Sequence, residues 1–229
     1  MTKPPRRPRS IFEEVGAGGP AAAPPPSRRG APSRRAVAAW LSVLFVLVVV
    51  MIAAGGLTRL TGSGLSITEW RPVTGALPPG DAAGWDAEFA RYRETPQFAL
   101  ANPDMTLDAF KRIYWWEWGH RQLGRLIGVV WAAGFLWFLI ARRMPAGWTG
   151  RLLGLGALGG LQGAVGWWMV ASGLAPEMVR VASTRLAVHL GLAFVILGLI
   201  AWWVMTLRRD EAELLQARRQ RSPALIAWT

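Results

Sequence analysis

The sequence predicts an all-α integral membrane protein, a four-helix bundle, and three observations predict it. The chain carries four apolar runs, each close to the roughly 20 residues that a spanning helix needs. Arginines cluster at the ends of those runs. Many of the 14 tryptophans lie near the same ends, as aromatic residues do at a membrane–water boundary. A hydrophobic fraction of 52% and a mean hydropathy of +0.25 suit a membrane protein with polar appendages. The net charge of +12 would suggest nucleic acid on a soluble protein. Here the arginine placement assigns it to topology instead, so the expected partner is the lipid bilayer and not nucleic acid. The chain has no cysteine, which excludes disulfides, thiolate metal sites and cysteine nucleophiles.

Residues 1–35 hold eight of the 16 prolines and the basic residues Lys3, Arg6, Arg7, Arg9, Arg28, Arg29, Arg34 and Arg35. Such a segment cannot bury a core, so a disordered basic cytoplasmic tail is expected. The four-helix unit is expected over 36–207. Its spans are 36–57, 120–141, 152–171 and 186–207, and its outer loop is 58–119. Residues 208–229 read as a cytoplasmic tail or as the start of a further half. The first part of the long loop, "TRLTGSGLSITEWRPVTGALPP" (58–79), is rich in turn-forming residues. Its last part predicts a helix, with Thr106 as N-cap and Asp108 in the first turn, running directly into the second span.

Arginine placement sets the orientation. The N-terminal segment, the 142–151 connection (Arg142, Arg143, Arg151) and the segment after 207 (Arg208, Arg209, Arg218, Arg219, Arg221) are basic. The 59–117 stretch has six basic and eight acidic residues. Both termini are therefore expected in the cytoplasm. In the third span, Gly156/Gly160 and Gly159/Gly163 are small-xxx-small pairs. They admit two readings, close helix packing and room for a flat ligand.

"YWWEWGH" (114–120) places Glu117 and His120 on one helix face, because residues three apart are neighbours there. The only other histidine is His189, about one turn into the fourth span. Alternating spans make the second and fourth helices parallel, so the two imidazoles come to similar depth on helices that can face each other. Imidazole ligates haem iron well, and bundle interiors are where such sites are built. A pair of membrane histidines can also be plain hydrogen-bonding contacts. Zinc would want more ligands, and a di-iron bundle needs the Glu-x-x-His motif twice where this chain has it once. Glu117 reads equally as a solvated helix end or as a functional carboxylate. Arg121, Arg125 and Arg59 could pair with haem propionates or simply snorkel to the interface.

Three stretches, "GGLTRLTGSGLSITEWRPVTGALPP" (55–79), "MTLDAFKRIYWWEWGHRQLGR" (105–125) and "RLAVHLGLAFVILGLIAW" (185–202), resemble the haem A synthase family. The likeness is to its cysteine-free proteobacterial and mitochondrial-like type, covers residues 10 to 229 and implies a place in a bacterial inner membrane. The resemblance implies a membrane protein of eight helices in two related four-helix halves, of which this chain matches the N-terminal one. It implies conversion of haem O to haem A by two successive hydroxylations of the ring C8 methyl to a formyl group, for cytochrome oxidase biogenesis. It makes haem O the substrate in this half, haem O synthase its donor, and haem b the cofactor of the second half. It matches Glu117 to a catalytic glutamate, and His120 and His189 to iron ligands. No second histidine pair is present, so the chain is expected to be truncated and the half inactive alone. The rival reading is a non-catalytic bis-histidine membrane cytochrome, and a haem-free helix bundle is the third. The electron acceptor is not specified, and a homo-oligomer is left open.

Overall fold

The computed structural model describes residues 31–209. Residues 1–30 of the expected N-terminal tail, and 210–229 of the expected C-terminal segment, lie outside the described residues. Six helices account for the fold: α1 (Ala31–Leu60), α2 (Ala82–Arg93), α3 (Pro96–Ala101), α4 (Leu107–Ile140), α5 (Thr149–Gly173) and α6 (Ser183–Arg208). A 3-10 turn spans Thr74–Ala76, and no strand occurs among the described residues.

α1 starts five residues before the expected span, so residues 31–35 are helical and not part of the tail. One reason is visible in Arg34, which donates to the carbonyls of Thr206 (3.0 Å) and Arg209 (3.3 Å). A guanidinium on the last carbonyls of α6 satisfies acceptors that the helix leaves open and complements its dipole. At its other end α1 stops in a Schellman turn. Gly62 takes φ +67°, Ser63 N donates to Thr58 O (2.9 Å) and Gly62 N to Arg59 O (3.2 Å).

α1, α4 and α6 are long and apolar enough to cross a membrane. α5, the third expected span, has 25 residues, about 37 Å of helix. That length exceeds the roughly 30 Å of hydrocarbon. Its glycines, Gln162, Trp167 and Trp168 dilute its apolar character, so by composition three of the four expected spans qualify and α5 does not. α5 nevertheless completes the bundle. α1 packs against α4 and α6, and α5 packs against the same two. The result is a ring of four helices in which α4 and α6 face each other across the interior, the architecture of a multi-pass membrane bundle.

The packed core fills one end of this ring. Val37, Leu41, Leu44 and Val48 of α1 meet Phe135 and Phe138 of α4, Leu152 and Leu155 of α5, and Ile196, Ile200 and Leu207 of α6. Two tryptophans lock the seams. Trp40 Nε1 donates to Val130 O (3.0 Å) with its ring against Gly134, and Trp131 Nε1 donates to Leu152 O (3.1 Å) with its ring against Gly156. A Cβ at either glycine would collide with the indole. Both tryptophans are therefore seam-fillers between helices, where the sequence suggests belt residues.

The long loop is a folded cap. α4 has 34 residues, about 51 Å, so its first turns project beyond the hydrocarbon. Thr106 caps it, its hydroxyl accepting from Ala109 N (3.3 Å), with Asp108 in the first turn. On this projection sit α2 and α3, which the turn-rich reading did not anticipate. Asp81 caps α2 through Gly84 N (2.8 Å), and Thr95 caps α3 through Phe98 N (3.2 Å) with Pro96 at its start. Tyr92, Phe110 and Tyr114 form their core, with Ile67, Trp85, Phe89 and Phe98 packed around them. Burial pushes the Tyr92 hydroxyl above the usual phenol range, and the hydrogen bond that it accepts from Asn102 (3.0 Å) opposes that shift.

Candidate functional site

The two histidines occupy the end of the ring that the apolar core leaves unfilled. Among the described residues, the buried core of the bundle reaches no further toward that end than Val48, Phe135, Leu155 and Ile196. His120 on α4 and His189 on α6 lie beyond it, half-buried on the two helices that face each other.

Each ring rests against a glycine of a neighbouring helix. A Cβ at Gly55 of α1 would stand 3.1 Å from His120 Nε2, and one at Gly166 of α5 would stand 2.9 Å from His189 Cε1. Any side chain at Gly166 would push the imidazole away. In contrast, Gly159, Gly160 and Gly163 have nothing within 4 Å of such an atom. Of the expected pairs, Gly156 packs closely, against the Trp131 indole, and Gly166, outside those pairs, seats the His189 imidazole. Gln162, one turn before Gly166, donates to the His189 carbonyl (3.0 Å), and its amide nitrogen lies 3.3 Å from Nδ1 and 3.4 Å from Nε2.

Glu117 is 3% exposed, so it is no solvated helix end. Its Oε2 accepts from Ser66 Oγ and from Ile67 N, both at 2.8 Å. Its Oε1 accepts from Arg121 Nη2 (2.6 Å) and Nε (3.0 Å). This is a forked, charge-assisted pair, the strong kind of hydrogen bond. Arg121 also donates to Ile67 O (2.8 Å) and Glu69 O (3.1 Å) and lies over the Trp167 ring at 5.9 Å. Arg125 donates to Pro72 O (2.8 Å), Arg71 O (2.9 Å) and Gln122 Oε1 (3.1 Å). The two arginines thus hold the 67–72 segment of the cap against α4. Arg59 is exposed at the end of α1. A cavity of about 270 Å³ lies between this segment, α2 and α4, lined by Glu69, Arg71, Glu88, Arg91, Arg121 and Arg125 among others.

Two imidazoles on α4 and α6 are donors of the type that haem iron accepts, and each is seated against a glycine of a neighbouring helix. Among the described residues there is no group of three or more His, Asp or Glu that could hold a bare metal ion. The residues that the sequence reading did not single out are Ser66, Gly55, Gly166 and Gln162. Only Gln162 carried a signal, as the one amide in the third apolar run, where an unpaired polar group is costly.

A family model described as cytochrome oxidase assembly protein matches residues 38–229. The chain is 70% identical over 190 residues to the haem A synthase of Paracoccus denitrificans, covering 83% of this chain and 50% of that protein. It is 64% identical over 224 residues to the haem A synthase of Cereibacter sphaeroides strain ATCC 17029, covering 96% and 57%. Against that of Dinoroseobacter shibae it is 61% identical over 223 residues, covering 95% and 58%. The chain thus spans about half the length of the curated relatives it matches. No solved structure matches it. With the family model covering most of the chain and relatives of this identity, the chain belongs to the haem A synthase family of cytochrome oxidase assembly proteins.

Proposed function

We propose that this chain acts in haem A biosynthesis as the haem O-binding half of a haem A synthase. One observation carries the reading. The only two imidazoles of the chain lie on α4 and α6, which oppose each other in the ring, and both lie beyond the end of its fully buried apolar core. The names of the relatives supply the substrate class. His120 and His189 would hold the iron, and the iron would supply the oxidising chemistry at the macrocycle.

The chain's own residues do the remaining work. Gly55 and Gly166 keep the ring seats open. Arg121 fixes the Glu117 carboxylate in one orientation, one helical turn from His120. From there Glu117 can accept a proton or stabilise positive charge on a substrate methyl group. The cap packs on that end of the bundle, where Trp70 meets Trp167 of α5 (5.3 Å between centroids). Arg59, exposed at the rim, is the arginine free to meet a propionate without breaking the cap.

A second reading, a bis-histidine electron carrier, draws on one fact: Glu117 already accepts four hydrogen bonds within the cap. Formation of a formyl product separates the two readings.

The test is hemin titration into the detergent-solubilised chain, followed by absorbance of the bound haem. His120→Ala and His189→Ala are each expected to lose most bound hemin and the low-spin spectrum. Unchanged stoichiometry and spectrum in both variants would remove the ligand assignment and the function built on it.

A further inference from the structure

The cavity in the cap carries an unmatched charge. Its lining includes the guanidiniums of Arg71, Arg91, Arg121 and Arg125 and the carboxylates of Glu69 and Glu88. Arg121 pairs with Glu117, Arg71 with Glu69, and Arg91 with Glu88. Arg125 is left over. Its three hydrogen bonds go to the Arg71 and Pro72 carbonyls and to the Gln122 amide oxygen, all neutral acceptors. Arg91 is also incompletely satisfied, since its Nε is buried without a hydrogen-bond partner. The Glu69 carboxylate stands 3.7 Å from that nitrogen, too far for a hydrogen bond. An unpaired buried donor of a charged group is costly, so this lining calls for an added acceptor with one negative charge.

The surroundings indicate what carries it. Arg125 lies near the cap end of the expected 120–141 span. Gln122, Arg125, Leu126, Val129, Leu136 and Ile140 fall on one stripe of α4 by helical spacing. The cap lies on the start of this stripe, with Gln122 donating to Ala76 O and Arg125 to Pro72 O. Past Arg125 the stripe is apolar and exposed on the protein surface, as the lipid-facing side of a spanning helix is. On the loop that Arg125 holds, Val73 and Leu77 are 80% and 82% exposed. Large apolar side chains so placed suit acyl chains better than water.

We infer that the cavity holds the phosphodiester of an anionic phospholipid, with Arg71, Arg91 and Arg125 around its oxygens and the acyl chains along Leu126 and Val129. A phosphodiester carries one negative charge, which matches the surplus guanidinium. Its oxygens accept charge-assisted hydrogen bonds from arginine. The volume of about 270 Å³ falls below the roughly 300–1,000 Å³ of sites for drug-sized ligands, so it suits a headgroup. A zwitterionic headgroup brings a positive charge back and loses the match.

The experiment uses the full chain in detergent and measures binding of phosphatidylglycerol and phosphatidylcholine by native mass spectrometry. Phosphatidylglycerol is expected to bind more tightly. Arg91→Gln and Arg71→Gln are each expected to weaken it about fivefold, the scale of one basic residue at a lipid surface. Glu88→Gln enlarges the positive surplus and is expected to tighten it by a similar factor, whereas a merely structural cluster would loosen in all three variants. Arg112→Gln, exposed on the projecting part of α4 and outside the cavity lining, is expected to match wild type. Should Arg91→Gln not fold, Arg71→Gln carries the test, since the Arg71 side chain is 45% exposed. Equal affinity for the two lipids, weaker binding in Glu88→Gln, or equal loss in Arg112→Gln would overturn the inference. Displacement of the bound lipid by inorganic phosphate would assign the cavity to a free anion, and displacement by hemin to a haem propionate, and either result would overturn it as well.

Discussion

Replacing Glu117 by alanine tests the element that joins the cap to the bundle. The substitution removes four hydrogen bonds at once. It strips the acceptor from Ser66 Oγ and Ile67 N, and it leaves the Arg121 guanidinium facing two carbonyls without an anion. Breaking a buried ion pair by deleting one partner costs about 3–5 kcal/mol. The Arg121 side chain is 19% exposed, so some solvent returns and the low end, about 3 kcal/mol, is appropriate. At 1.4 kcal/mol per tenfold, local opening of the 63–69 segment should become roughly 100-fold more frequent. Hydrogen exchange at the Ile67 amide reads this directly, because that amide donates to Glu117. Ser66→Ala removes a single hydrogen bond to a charged group, worth about 1.5 kcal/mol, and should raise exchange about tenfold. Glu117→Gln keeps an acceptor for Ile67 but turns a nitrogen toward Arg121, and should fall between the two. Ile67 exchange in Glu117→Ala equal to wild type would refute the clamp. Lost haem A formation in a Glu117 variant would otherwise be ambiguous, so Ser66→Ala is the control that loosens the cap without removing the carboxylate.

Two further expectations are simpler. Gly166→Val should drive the His189 ring from its seat and weaken hemin binding about tenfold or more, the scale of a misdirected ligand. Gly159→Val, where nothing lies within 4 Å, should bind hemin as wild type does, and equal loss in both would show a general helix defect. Reporter fusions at residues 90 and 147 should land on opposite sides of the membrane, since one follows the cap and the other the short basic connection, and the same side for both would sink the topology.

The bundle was legible in the sequence because its signals are local. Apolar runs, flanking arginines and the Thr106 cap each lie within a few residues of what they specify. Alternation of spans alone was enough to place both histidines at one end. The interior of the cap was not legible, although Asp81 and Thr95-Pro96 are ordinary helix-start signals. Its helices are short and bury their aromatic residues in a small core of their own, so no long periodic pattern announces them. The Glu117 network was hidden for a different reason. Ser66 is 51 residues away in the chain, and no spacing rule connects a loop serine to a helix glutamate. Trp40 and Trp131 show the same limit: composition suggests a belt, but a glycine on the facing helix decides that the indole turns inward.

The division of the ring into a filled end and an unfilled one has a mechanical consequence. At the filled end, leucines, valines and phenylalanines from all four helices hold the bundle together, and arginines and tryptophans tie its seams. At the histidine end the packing is less buried, with Ile52, Ile127, Leu158 and Leu192 only partly covered. The cap adds restraint from outside the ring. Arg121 and Arg125 hold the 67–72 segment on α4, and Trp70 of that segment reaches Trp167 of α5. Leu65 reaches further, against Gly173 and the connection into α6. Polar and aromatic ties to the cap therefore supplement the apolar packing at that end. The tie between Glu117 and Arg121 that holds the cap also fixes the Glu117 carboxylate one turn from His120 on α4, the place that the proposed function requires of it.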